Sequence, residues 1–424
     1  MMKKIFLLLV GITCFGFVAA QNSNMIIVVP RQFSDCLNDF INYKRNTNIN
    51  CQIVSIDTNK STAEIKTSIF QTYTSTPALY LLLIGDDGFI PSFPVEEGCT
   101  DANYAIFEED SIPCMAVGRF PCETREELLT MLEKSMSVSN NRRFGAIASN
   151  IRSERTNRTD CERLREMYAP LFALGFQLQA ELFDGSQDGY DSIGNPTQHQ
   201  VAHLINQGCE MLLYAGHGDY EAWQTSGFSA ADIHNLTNTV FPIVLSAACL
   251  NGNFVNRTCF AETWLRSPQG AKAAIMSSIF NDWDANLESL SAAFDSLHDK
   301  STIGNLWLQT FAYTSVILHR NKEAKTWILF GDPSMPLFYT PNAITETENN
   351  KHLSLYPNPT TDMVYLNIQA DNFNRQEISV FDTNGKLLKK QSVSDNHIPI
   401  NISDFTNGIY YLTIDKHCLK IIKQ

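Results

Sequence analysis

Apolar residues fall along this chain in short unbroken runs rather than in strict alternation, and segments with helical spacing separate the runs. Residues 25–30 (MIIVVP) and 51–56 predict strands on either side of a helical pattern over 33–44. A second helical pattern, 63–73, leads into 78–85 (ALYLLLIG), which is apolar throughout and ends in Gly-Asp-Asp. The pattern repeats with strands at 115–119, 145–149 and 177–183 and helices at 125–137 and 160–174. It continues with a helix near 200–207, a strand at 211–215, a helix near 230–235 and a strand at 240–247. A helix at 260–266 and a strand at 273–277 follow. Strands without alternation, interleaved with helices of about ten residues or more, belong to a parallel sheet covered on both faces. The expectation is an α/β fold in two subdomains, 21–144 and 145–340, sharing one long sheet or building two.

The pattern changes at residues 341–351, a polar stretch of Asn, Thr and Glu without periodicity that reads as a linker. Beyond it the helical spacing stops. Residues 363–368 alternate, 377–381 and 386–391 flank the turn Asp382-Thr383-Asn384-Gly385, and further short runs lie at 408–414 and 418–423. Asn-Gly between two alternating runs is a strong hairpin signal. The segment 352–424 is therefore expected to be a small all-β sandwich.

Composition adds direction to this outline. With 44% hydrophobic and 18% charged residues, the 424-residue chain has the make-up of globular domains and the length for more than one. The net charge of −13 is unevenly placed: residues 21–350 hold 22 basic against 38 acidic side chains, whereas 351–424 is nearly balanced. Such a field repels phosphate backbones and anionic membranes and favours basic peptides as partners. No P-loop or G-x-G-x-x-G follows a strand, and no basic patch is present, so nucleic acid is not an expected partner. Lys3 and Lys4 precede an apolar run over 5–18, and Val18-Ala19-Ala20 offers a small-residue cleavage site. Residues 1–20 therefore read as a secretory signal, and no later run is long enough to span a membrane. Ten cysteines remain beyond that segment, with no C-x-x-C pair and no regular framework.

Two loops carry the candidate chemistry. The strand at 211–215 opens into Gly216-His217-Gly218-Asp219, and the strand at 240–247 opens through Ala248 into Cys249-Leu250-Asn251-Gly252. Functional groups of open α/β sheets collect beyond the carboxyl ends of the strands. A thiol needs a base to become a thiolate near neutral pH, and histidine is the usual one. The amides of Cys249 and Gly218 are candidate donors to an oxyanion. Singly, a Cys ending an apolar strand reads as core filler and a His between glycines as a turn residue; together, on successive strands, they point to nucleophilic catalysis.

These residues also carry a resemblance. Leu213-Tyr214-Ala215-Gly216-His217-Gly218 and Ala247-Ala248-Cys249-Leu250-Asn251-Gly252-Asn253-Phe254 resemble the His and Cys blocks of gingipains, relatives of the caspase-like cysteine peptidases. Leu82-Leu83-Ile84-Gly85-Asp86, Val117-Gly118-Arg119-Phe120, Cys259-Phe260-Ala261-Glu262 and Phe330-Gly331-Asp332-Pro333-Ser334 look like further blocks of that family in the same order. The resemblance covers roughly residues 26–340 and implies a caspase-like catalytic domain, with Cys249 as nucleophile and His217 as general base and acid. It implies that Trp283 covers the specificity pocket and that Asp160 supplies the acid at the floor of an arginine-selecting pocket. Asp160 or Thr159 also reads as an ordinary helix N-cap. Where the family places an acidic residue to orient the histidine, this chain has Ile147-Ala148-Ser149-Asn150-Ile151, so Asn150, or Glu154 a little later, is the candidate third member. The chemistry requires no cofactor, and a structural calcium is implied by the resemblance alone, with no ligand set to match.

The tail resembles another family. Leu355-Tyr356-Pro357-Asn358-Pro359-Thr360, Val380-Phe381-Asp382-Thr383-Asn384-Gly385-Lys386, Asn407-Gly408-Ile409-Tyr410 and the closing KIIKQ are similar to the C-terminal sorting domain of the type IX secretion system. That resemblance implies engagement of the type IX machinery and export across the outer membrane of a Gram-negative bacterium, to the surface or the medium. The expected function is a secreted cysteine endopeptidase acting on proteins or peptides, cutting after basic residues with arginine favoured. Two other readings use the same residues: an exported inactive pseudo-peptidase that binds or adheres, motivated by the missing acidic residue, and a transpeptidase acting on sorted proteins.

Overall fold

The unbroken apolar runs become strands covered on both faces. The computed structural model describes residues 23–108, 112–185, 195–338, 353–368, 376–382, 386–393, 395–414 and 417–424. The expected signal segment and the linker lie outside these. Two compact units divide the chain, Met1–Tyr339 and Thr340–Gln424.

In the first unit, ten strands form one sheet. They are β1 (Ser23–Pro30), β2 (Ile49–Ile56), β3 (Tyr80–Ile84), β6 (Ala116–Phe120), β7 (Arg143–Ala148), β8 (Gln177–Phe183), β9 (Met211–Ala215), β10 (Ile243–Ala247), β11 (Ala273–Ser277) and β12 (Trp327–Phe330). A small hairpin of β4 (Phe93–Val95) and β5 (Gly98–Thr100) stands apart. Every residue of β3, β6, β9, β10, β11 and β12 is buried, which accounts for the missing alternation. The strand order is β2-β1-β3-β6-β12-β11-β10-β9-β7-β8.

Within that order the sheet changes direction once. β12 runs parallel to β6, through Phe330 opposite Arg119, but antiparallel to β11. The expected parallel sheet is thus two parallel runs pointing in opposite directions and joined at the β11–β12 pair. The helix expected over residues 33–44 starts as a 3-10 turn, Arg31–Leu37, and becomes α-helical over Asn38–Asn46. Capping boxes start several helices as their sequences specify: Ser61 with Glu64, Thr124 with Glu127, Thr159 with Glu162 and Thr197 with Gln200.

The topology concentrates chemistry at one end of the sheet. β7, β9, β10 and β11 are parallel neighbours, so their carboxyl ends emerge side by side. Four loops meet there, beginning at Ser149, Gly216, Ala248 and Ser278.

Among its described residues the second unit has seven strands in two antiparallel sheets. One is β13 (Leu353–Tyr356), β14 (Met363–Ile368) and β17 (His397–Asn401). The other is β16 (Leu387–Val393), β15 (Gln376–Phe381), β18 (Gly408–Ile414) and β19 (His417–Lys423). Alternating residues such as Val364, Leu366, Ile378, Val380, Ile400, Leu412 and Ile421 fill a separate core. The two strand runs flanking the Asn-Gly turn pair as expected; the turn residues 383–385 lie outside the described ones.

Candidate active site

Register places the histidine and the cysteine side by side. Ala215 of β9 is the partner of Ala247 of β10, and His217 and Cys249 each sit two residues further on. The Gly216 amide still donates to the Ala247 carbonyl at 3.3 Å, so the two chains part only as they reach the site. His217 is exposed, and its backbone carbonyl accepts from the Tyr214 hydroxyl at 2.6 Å and the Gln224 amide at 3.0 Å. These bonds fix the loop backbone and leave the imidazole toward solvent.

Cys249 is nearly enclosed. Its Sγ lies 4.0 Å from the Asn281 carbonyl and 3.8 Å from Asn281 Oδ1, and the Asn281 side-chain amide donates to the Ala248 carbonyl at 3.2 Å. Burial pushes the thiol above its ordinary range. The next residue, Leu250, is held at φ 61° with its amide on the Ile279 carbonyl, a left-handed turn that an L side chain adopts rarely. Nine cysteines, Cys249 included, are free thiols.

A buried polar network joins the two loops. Asn251 Nδ2 donates to the carbonyls of Asp219 and Ala222, and Asn251 Oδ1 accepts from Ser246 Oγ, which accepts in turn from Trp223 Nε1. The helix Phe260–Arg266 secures the same loops with its first amides: Phe260 N donates to Tyr220 O and Ala261 N to Asn251 O. Gly218 is wedged between them, where a Cβ would meet that of Ala248 at 2.8 Å and the Asn251 amide at 3.0 Å.

Asp160 is the buried acid of this end of the sheet. Thr159, not Asp160, is the N-cap of the helix Asp160–Ala173, which turns the Asp160 carboxylate inward, 1% exposed. Ser149 Oγ donates to Asp160 Oδ2 at 2.5 Å, while Oδ1 has no hydrogen-bond partner among the described residues. Burial raises its pKa; the charges acting on it include those of Arg163, Asp284 and His217. Ser149 itself lies against Gly216, so the acid sits just beneath the histidine loop.

The other expected site residues are placed less centrally. Asn150 is exposed just past β7, and Glu154 is exposed in the turn that closes the short Arg152–Thr159 bridge. Trp283 begins the helix Trp283–Phe294, capped by Asp282, and its side chain lies outside the described ones. Sequence reasoning passed over Asn281, Asn251 and Ser149. Asn251 stood in a quoted block without a role, and no local pattern marks Asn281 or Ser149 as neighbours of Cys249 and Asp160. Among the described residues no group of three or more His, Cys, Asp or Glu is placed to hold a metal ion. No helix among them is long and apolar enough to cross a membrane.

Known proteins resemble this chain in sequence and in fold. The model for peptidase family C25 matches residues 18–338, and that for the secretion system C-terminal sorting domain matches 354–424. Gingipain R1 of Porphyromonas gingivalis is 24% identical over 419 residues, covering 91% of this chain and 40% of its own length. Gingipain R2 of Porphyromonas gingivalis strain W83 is 25% identical over 347 residues, covering 74% of this chain and 46% of its own. This chain therefore spans less than half the length of these relatives. A crystal structure of the Arg specific cysteine proteinase gingipain R superposes with a TM-score of 0.69 at 21% identity, covering 97% of this chain and all of the other. The complex of Porphyromonas gingivalis RgpB pro- and mature domains gives 0.68 at 21% identity, covering 95% of this chain and all of the other. At these identities the structures speak for the fold. The tail carries the chain out by type IX secretion, to the cell surface or the medium.

Proposed function

This chain belongs to peptidase family C25, and from that premise we propose that it is an exported cysteine endopeptidase that cuts after basic residues, arginine before lysine. The observation that carries the reading is the in-register exit of β9 and β10, which sets His217 beside Cys249. His217 takes the thiol proton, and the Cys249 thiolate attacks the scissile carbonyl. The amides of Cys249 and Gly218 donate to the oxyanion of the tetrahedral intermediate. When the C–N bond breaks, His217 returns the proton to the leaving amine and a thioester remains. Water, deprotonated by His217, attacks the thioester and releases the acid and the free thiol. No cofactor enters any step.

Recognition of a basic residue falls to Asp160. Its unpartnered Oδ1 is a buried acceptor of the kind that a guanidinium satisfies, with Oδ2 already steadied by Ser149. One solved structure of similar fold is named as that of an Arg specific cysteine proteinase. Trp283, beginning the neighbouring helix, is proposed to cover the bound side chain. Asn150 and Glu154, both exposed, are the proposed candidates to orient the imidazole, and the Asp160 carboxylate also interacts with it electrostatically.

The test is cleavage of peptides carrying Arg, Lys, Leu or Asp before a reporter group, by the exported protein and its Cys249→Ala variant. Cleavage after Arg that is lost in the variant supports the reading. Cleavage confined to Leu or Asp peptides overturns the assignment of Asp160. No cleavage by folded protein with a reduced thiol overturns the peptidase and favours an inactive binding protein. New peptide bonds formed with added amines would identify a transpeptidase.

A further inference from the structure

Asp160 is not alone at the floor of the site. One helical turn further along the same helix, Arg163 is 8% exposed, and residues three apart on a helix are neighbours. A long, buried guanidinium therefore stands within reach of the unpartnered Asp160 Oδ1. An internal arginine on that oxygen would fill the place of a substrate arginine. In the structure it points elsewhere. Arg163 Nη1 donates to Asp284 Oδ1, and Arg163 Nη2 donates to the Asp284 carbonyl at 2.7 Å. The second carboxylate oxygen of Asp284 is also in use, accepting from Ser153 Oγ at 2.6 Å and from Arg155 Nε at 3.4 Å. Asp284 follows Trp283 on the helix Trp283–Phe294, so a single carboxylate ties that helix, the Asp160 helix and the 152–159 turn together.

We propose that Asp284 is a specificity-determining positioning residue: it holds Arg163 away from Asp160, keeping the free carboxylate oxygen for the guanidinium of the substrate. This rests on the reading of Asp160 as the acid that selects basic residues. Electrostatically the division is simple. Arg163 is bonded to Asp284, which also takes Arg155, so no cation among the described residues is hydrogen-bonded to Asp160 until a basic side chain enters. Without the Asp284 charge, a buried Arg163 is left without a carboxylate partner, and the nearest replacement is Asp160. Arg163 then competes with every substrate as a tethered ligand, and a tethered competitor acts at high effective concentration.

The experiment compares the full chain with Asp284→Asn, Arg163→Gln and the double variant, each checked for folding by thermal melting. For Asp284→Asn, kcat/KM on Arg peptides should fall at least about tenfold, mainly through KM, because a charge-assisted hydrogen bond is contested. Arg163→Gln alone should retain Arg cleavage. The double variant, which has no internal arginine to release, should recover to within about threefold of the unmodified chain. A purely structural bridge predicts the reverse, with the double variant no better than Asp284→Asn; that result, or an unaffected Asp284→Asn, overturns the proposal. Binding of agmatine, a free alkylguanidinium, to Cys249→Ala chains read by calorimetry separates this from the peptidase reading. Binding that weakens with Asp284→Asn and returns in the double variant upholds the role of Asp284 even if no peptide is cut. Absence of agmatine binding together with absence of Arg cleavage overturns both.

Discussion

The side-chain amide of Asn251 donates to the Asp219 carbonyl at 2.6 Å, stitching the loop behind Cys249 to the loop behind His217. Asn251 is fully buried, and each of its polar atoms has a partner. Replacement by alanine takes the side-chain donor from the Asp219 carbonyl and the acceptor from the buried Ser246 hydroxyl, while the Ala222 carbonyl keeps the Asp219 amide. Asn251→Ala is expected to cost about 2–3 kcal/mol of stability. It should also lower kcat more than it raises KM, because what loosens is the spacing of base and nucleophile rather than the substrate floor. Thermal melting beside steady-state kinetics checks both; full activity in a destabilised variant would show that the stitch serves the fold alone.

Gly218 offers a sharper probe of the same seam. A methyl group there would press on Ala248 Cβ at 2.8 Å, and backbone, not a flexible side-chain end, must move to relieve it. Gly218→Ala should leave the fold intact, since the loop lies at the end of the sheet. Its kcat/KM should fall at least about a hundredfold if the Gly218 amide is an oxyanion donor. A loss below about threefold would remove that amide from the mechanism.

Burial and chemistry oppose each other at Cys249. The enclosed thiol resists ionisation, so near neutral pH its reactivity depends on proton transfer to His217. Alkylation by iodoacetamide should therefore proceed readily at pH 7 in the unmodified chain and at least about tenfold more slowly in His217→Ala. In that variant the rate should climb steeply with pH, because hydroxide alone then produces the thiolate. Equal rates for the two proteins at pH 7 would show that His217 is not the base.

The parallel α/β sheet was legible because strands buried on both faces need apolar residues at every position: Met25 to Val29 and Leu81 to Ile84 are all fully buried. The His217–Cys249 pair was legible for a related reason, since glycines and a strand end mark places where backbone leaves the packed layer. β12 was not. Four residues, Trp327–Phe330, carry no period, and their antiparallel pairing with β11 is settled by long-range fit. Asp160 was half legible. The Thr159–Glu162 capping box announces the helix start, but only the folded sheet brings Ser149 to one carboxylate oxygen and leaves the other bare. Asn281 reaches Cys249 from the loop after β11, and Asp284 reaches Arg163 from a helix 121 residues away in sequence. Neither contact has a local signature.

Lys423, in the closing KIIKQ, invites the view that a terminal lysine is an exposed address label. The structure gives it a different environment. Its side chain is 7% exposed, and Nζ donates to the carbonyls of Thr361 at 2.5 Å, Ile402 at 3.0 Å and Ser403 at 3.0 Å. Three acceptors match the three donors of an ammonium, so β19 is fastened to the segments after residues 360 and 401. Lys423→Met removes the donors and takes the Nζ bond from all three carbonyls, of which Ile402 keeps the Phe405 amide, and this should destabilise the tail unit by about 2–4 kcal/mol. Lys420, exposed on the same strand, is the control: Lys420→Met should leave the melting of the tail unchanged. In cells, Lys423→Met should then fail in export because the sorting domain no longer folds. Were the variant to melt like the unmodified chain and still remain inside, the lysine would have to be read directly by the secretion machinery, and its burial would be incidental.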